Sequence, residues 1–93
     1  MPIMIEYISG LKGREIVIDT DTEYIYIGTL ASVAPGHIIL EKVDVHERGP
    51  NEGTKEKYVH EARKIGVRAN RHKVALRMDR IVSVSLLEDV MEF

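Results

Sequence analysis

The chain has 93 residues, 44% hydrophobic and 30% charged, with 13 Lys/Arg, 15 Asp/Glu and no cysteine, which suits one domain around one core and excludes wholesale disorder, disulfides and thiolate-held metals. No apolar run approaches the roughly 18 residues that a membrane span requires, and the N-terminus lacks the basic-then-apolar order of a signal peptide, so a cytoplasmic protein is expected. The net charge of −2 hides segregation: residues 1–54 sum to −5, residues 55–80 to +6 and residues 81–93 to −3, a pattern that suits either a nucleic-acid patch or docking on the acidic surface of another copy.

In chain order, Met1–Gly10 opens with Pro2 and places Met4, Ile5, Ile8 and Leu11 near helical spacing, which predicts one or two turns of helix against a β-branched content that argues for extension. EIVIDT, residues 15–20, reads as a short strand with Ile16 and Ile18 on one phase, followed by a DTDTE turn in which the aspartates bond nearby backbone. Tyr24–Glu41 then reads as a hairpin, two β-branched and aromatic runs joined at Ala34-Pro35-Gly36. Its alternation slips twice. Ile25 and Ile27 give way to Leu30 and Val33 at Gly28, and Ile38 and Leu40 give way to Val43 and Val45 at Glu41-Lys42. Two neighbouring strands that each bend part-way predict a small barrel, entered as an antiparallel meander.

Past His46, residues 48–53 carry two glycines, a proline and an asparagine and read as a loop. Thr54 reads as an N-cap, Tyr58, Ala62 and Ile65 as a narrow apolar stripe and Gly66 as a left-handed cap, predicting a helix at about 55–65 on the barrel or beside its rim. Val74, Leu76 and Met78, then Val82, Val84 and Leu86, alternate with polar or small residues as two last strands separated by a sharp corner. Glu88–Phe93 reads as an acidic tail.

Five strands in this order, the second strongly bent, resemble the Sm-like (Sm/LSm) fold. Leu11-Lys-Gly-Arg-Glu-Ile-Val-Ile is similar to that family's opening strand, Tyr26-Ile-Gly28-Thr-Leu30 to the core of its first motif, His37-Ile-Ile-Leu40-Glu to its third strand and Arg80-Ile-Val-Ser-Val-Ser-Leu86 to its closing strand. The match covers residues 11–46 and 73–88, and the insert at 47–66 is longer than the family's usual connection. The resemblance implies an all-β, five-stranded, strongly bent antiparallel barrel over residues 1–93, with a short helix between strands 3 and 4. It further implies a homo-oligomeric ring, closed where the fourth strand of one copy meets the fifth of the next, that binds single-stranded RNA in processing or chaperoning. Two departures matter. Ala34 stands where the family carries an aspartate of its uridine pocket, with no asparagine following, and Arg77-Met-Asp-Arg80 stands in place of an Arg-Gly or Lys-His pair. The scaffold carries over, and the usual base pocket does not.

The residues themselves also point to nucleic acid. Val67–Lys73 holds Arg68, Arg71 and Lys73, which can neutralise phosphates, His72, which can stack on a base, and Asn70, which can read a base edge. Arg77 and Arg80 extend this set, and His37 joins it at the hairpin tip, where the family places its pore loop. In a ring such contacts repeat, and their effective concentration multiplies weak affinities. The plainer readings are a solvated face, ion pairs with Asp19, Asp21 or Glu23, a polar tip residue at His37, and a surface ion pair for Asp79. Asp44 and His46 share one side of a strand, a two-ligand spacing too sparse for a metal site, and Tyr58 reads as a core contact of its helix. No metal and no cofactor is expected, and no catalytic motif stands out, so a non-enzyme is expected. The alternative function is a ring-forming structural or protein-binding module that recruits a protein partner through the 47–66 insert.

Overall fold

The computed structural model describes residues 2–47 and 52–91. Helix α1 (Pro2–Ser9) leads into β1 (Glu15–Thr20), β2 (Tyr24–Val33) and β3 (His37–Glu47); helix α2 (Glu52–Ile65) follows, then β4 (Arg71–Arg77), a 3-10 turn at Met78–Arg80, β5 (Ile81–Leu86) and a second 3-10 turn at Leu87–Asp89. All pairings are antiparallel and the sheet order is β4-β3-β2-β1-β5. This is the bent five-stranded architecture expected, with the helix between β3 and β4. β4 and β5 end the sheet without pairing to each other, so each keeps one open edge among the described residues.

The two phase slips face each other across the first of the bends that curl the sheet. Between β2 and β3 the register shifts from Ile27↔Asp44 to Thr29↔Glu41, and again between Leu30 and Ser32. The extra residue on β3 is Lys42, at φ 51°, the one non-glycine in the left-handed region among the described residues. Gly28 has an ordinary φ, and its role is space: a Cβ there would meet Glu41 O at 3.1 Å and Val43 Cα and Cγ2 at 3.2 Å. The glycine lets β3 close onto β2, and the backbone angle that a bulge demands is taken by the lysine opposite.

Curling produces two cores. The concave side buries Ile16, Ile18, Leu30, Ile38, Leu40, Val43 and Leu76, capped by Ile8 and Leu11 from α1 and its exit. The convex side of β1 and β2 buries Val17, Ile25 and Ile27 under Val59 and Ala62 of α2, together with Leu87. β1 is therefore covered on both faces, and α2 does for the convex face what the barrel does for the concave one.

Three details differ from expectation. α2 begins at Glu52, so Thr54 lies inside the first turn rather than capping it. The β1–β2 turn is held by threonines: the Thr20 hydroxyl donates to Tyr24 O at 2.8 Å and accepts from Thr22 N at 3.2 Å, while Tyr24 N donates to Thr22 Oγ1 at 3.2 Å. The start of the supposed tail is the Leu87–Asp89 turn, which folds Leu87 into the convex core. Residues 48–51 of the expected loop and residues 92–93 of the tail lie outside the described residues. The left-handed Gly66 after α2 is as expected, at φ 98°, with its N–H on Ala62 O at 3.0 Å.

Candidate nucleic-acid interface

The sequence places the candidate residues in one segment, and the fold divides them between the two ends of β4. The register runs from Val43↔Arg71 through Glu41↔Lys73 to His37↔Arg77. Six residue steps at about 3.3 Å separate Arg71 from Arg77 by roughly 20 Å. Arg77 and His37 are at the hairpin tip, and Arg80 follows in the β4–β5 corner against the β1–β2 turn; Arg68, Asn70, Arg71, His72 and Lys73 are at the root, beside α2.

At the tip, Ala34 N donates to His37 O at 2.9 Å, closing the hairpin, and Met78 N donates to Gly36 O at 3.0 Å, tying the hairpin to the β4–β5 corner. Between these turns lies an open cavity of about 600 Å³ lined by Met4, Pro35, Gly36, Arg77, Met78, Asp79 and Ile81. Its walls are methionine, proline and isoleucine, with a charged pair at the rim. Cross-strand pairing puts exposed His37 opposite exposed Arg77. The tip cations are already paired: Arg77 donates to Asp79 Oδ2 at 2.7 Å and Arg80 to Asp21 Oδ2 at 3.1 Å, with Asp21 N also donating to Arg80 O at 3.1 Å. All four side chains are solvated, so each pair neutralises charge locally and contributes little to stability.

At the root the side chains have different tasks. Asn70 is bound within the fold: its Oδ1 accepts from Val45 N at 3.0 Å and its Nδ2 donates to Val45 O at 3.1 Å and, at 3.4 Å, to Asp44 Oδ1. Its backbone N–H also donates to Val43 O at 2.8 Å. Asn70 thus continues the β3–β4 ladder with its side chain, and the amide that would read a base edge is occupied. Arg71 donates to Asn70 O at 3.0 Å, Lys73 lies 3.9 Å from Glu41, and Arg68 and His72 make no ion pair among the described residues. His72 belongs to the β4 phase of Val74 and Leu76, whose side chains face the concave core, and is exposed at the rim.

Asp44 and His46 do share one side of β3, where they receive α2. The His46 ring stacks on Tyr58 at 3.8 Å between centroids and 9° between planes. The Tyr58 hydroxyl is buried without a hydrogen bond of good geometry; burial first, and then the Asp44 carboxylate beside it, hold its proton well above the usual phenol range. Tyr58 is therefore both a core contact and a stacking platform, its partner being an internal histidine. A cleft of about 170 Å³ opens beside this stack, lined by Asp44, His46, Tyr58, Glu61, Ile65 and Arg68, among others. Among the described residues no group of three His, Asp or Glu is placed to share a metal, and no helix is long and apolar enough to cross a membrane.

Together the bent sheet, the α1 cap and the open ends at β4 and β5 define an Sm-like fold. Comparison with solved structures bears this out: the Pyrococcus abyssii Sm protein in complex with a uridine heptamer aligns with a TM-score of 0.57 at 12% identity, over 92% of this chain and 97% of that one. A chain of the NatC complex bound to CoA aligns with a TM-score of 0.58 at 14% identity, over 89% and 87%. No family model and no curated protein matches this sequence.

Proposed function

We propose that this protein binds single-stranded RNA as a homo-oligomeric ring. The observation that carries the reading is the tip cavity: two turns tied by the Met78–Gly36 bond, apolar walls that accept the face of a base, Arg77 among the lining residues, and His37 opposite Arg77 across the strand pair. The similar Pyrococcus abyssii Sm chain is itself in complex with a uridine heptamer. With no asparagine in the hairpin turn, the cavity offers stacking and shape in place of edge reading by an amide, so weak base preference is expected. The open edges of β4 and β5 support the ring, since unpaired strands of one sheet can be joined head to tail between copies.

The test combines assembly and binding. Light scattering at micromolar concentration is expected to give a mass several times that of one chain, and labelled oligo(U) and oligo(A) RNA are expected to bind with comparable, salt-dependent affinity. With no tryptophan and four tyrosines, nucleic acid retained in a low-salt preparation would be conspicuous in the ultraviolet spectrum. A stable monomer sinks the ring, and a clean spectrum with no oligonucleotide binding sinks the RNA reading. That second outcome favours the protein-binding module, a reading supported by the similar chain that resides in the NatC complex.

A further inference from the structure

The two ends of β4 differ in whether their cations are free. From Gly66 to Arg77 the chain carries four Lys/Arg and no Asp/Glu, yet the charge available to a ligand is unequal along that length. At the tip, Arg77 and Arg80 are each neutralised by a carboxylate within 3.1 Å. At the root, Arg68 and Arg71 meet no carboxylate within ion-pair distance among the described residues, and Lys73 meets one only at 3.9 Å, both side chains being well exposed. Asp44 and Glu61 line the cleft beside Arg68 without pairing with it. Asn70 holds this segment to β3 through three side-chain bonds, so Arg68 and Arg71 project from an anchored backbone.

We propose that the root of β4, centred on Arg68 and Arg71, is a second nucleic-acid contact that tracks the phosphate backbone. The tip cavity takes a base, and the root supplies the electrostatic part of affinity. The inference rests on the RNA-binding reading above and adds a division of labour to it. A cation held by an internal carboxylate releases little from the counterion atmosphere of a nucleic acid when it binds, whereas a free arginine contributes in full. The salt dependence should therefore reside at the root, although the cavity is some 20 Å away.

The experiment measures binding of the full chain to oligo(U) and oligo(A) RNA across a series of salt concentrations. For the pair Arg68→Gln with Arg71→Gln, the slope of log affinity against log salt is expected to flatten by about 1.4, at about 0.7 per lost contact to a single strand, with equal loss for both sequences. The pair Arg68→Lys with Arg71→Lys should keep the wild-type slope, which separates charge from folding. Arg77→Ala should lower affinity and leave the slope nearly unchanged. A glutamine pair with the wild-type slope overturns the root contact and leaves the tip reading standing. If the glutamine pair flattens the slope while Arg77→Ala binds as wild type, the root contact stands and the tip reading falls. Failure of the wild-type chain to bind either RNA overturns both.

Discussion

Tip and root are built from the same strand, with similar residue types, and end with different chemistry. At the tip, two turns meet, the backbone closes a cavity, and the arginines are held by Asp79 and Asp21. At the root, an asparagine performs the structural task, and Arg68 and Arg71 meet no carboxylate among the described residues. A count of basic residues along a segment therefore does not locate its electrostatic field; which carboxylates the fold brings alongside does. The contrast also separates the anchoring done by Asn70 from the charge carried by the arginines on either side of it.

The comparison can be broken most severely by removing the bend that frames both ends. Gly28→Val would push a branched side chain into Glu41 O and Val43, an overpacking expected to cost about 3 kcal/mol and to lower Tm by roughly 10–20 °C in calorimetry. A variant as stable as wild type would show that β2 and β3 need no close approach there.

Asn70→Ala sharpens the assignment of that residue to structure. Losing its bonds to Val45 is expected to cost about 1–2 kcal/mol in urea unfolding, with RNA affinity falling only as far as root order is lost. Unchanged stability with a selective loss for one base would instead make Asn70 a reader.

Lys42→Gly moves in the other direction. A lysine at φ 51° carries a left-handed penalty that glycine does not, so the variant should gain about 0.5–1 kcal/mol if the bulge is purely architectural.

The smallest effect at neutral pH is expected for Tyr58→Phe, which removes a buried hydroxyl with no good hydrogen bond and keeps the stack on His46. Its consequence appears in alkali. The folded state holds the Tyr58 proton above the ordinary phenol value of 10.0, so above about pH 10 the folded chain binds more protons than the unfolded one and stability falls as pH rises. Tyr26, raised by burial and then by Tyr24, adds to the same slope. A pH–stability curve above 10 that is equally steep in the phenylalanine variant would exclude Tyr58 from it.

Much of the frame is legible in local pattern, because a period-two alternation and its interruptions are dictated by which side of a strand each side chain occupies. The slips at Gly28 and at Glu41-Lys42 mark the first β2–β3 register shift from both strands, the shift between Leu30 and Ser32 lies beyond them, and EIVIDT is β1 to the residue. Val17, on the phase opposite Ile16 and Ile18, gives no local sign that it is buried, since its cover comes from α2 some forty residues later. Leu87 is hidden for the same reason, lying at the head of an acidic run and reaching the convex core only through a 3-10 turn. The start of α2 is obscured by Gly53 beside a loop-like run, where packing of Val59 and Ala62 outweighs propensity.

For the candidate interface, residue order alone shows that a basic, acid-free segment leads into the fourth strand, and that the hairpin turn lacks the aspartate and asparagine of the family it resembles. These are properties of residue type and order, which need no third dimension. Folding alone separates the segment into two ends, commits Asn70 to Val45, and brings Arg80 to Asp21 from fifty-nine residues away. Ion pairs and side-chain clasps fall off within a few ångströms, and a chain can bring such partners together only by folding.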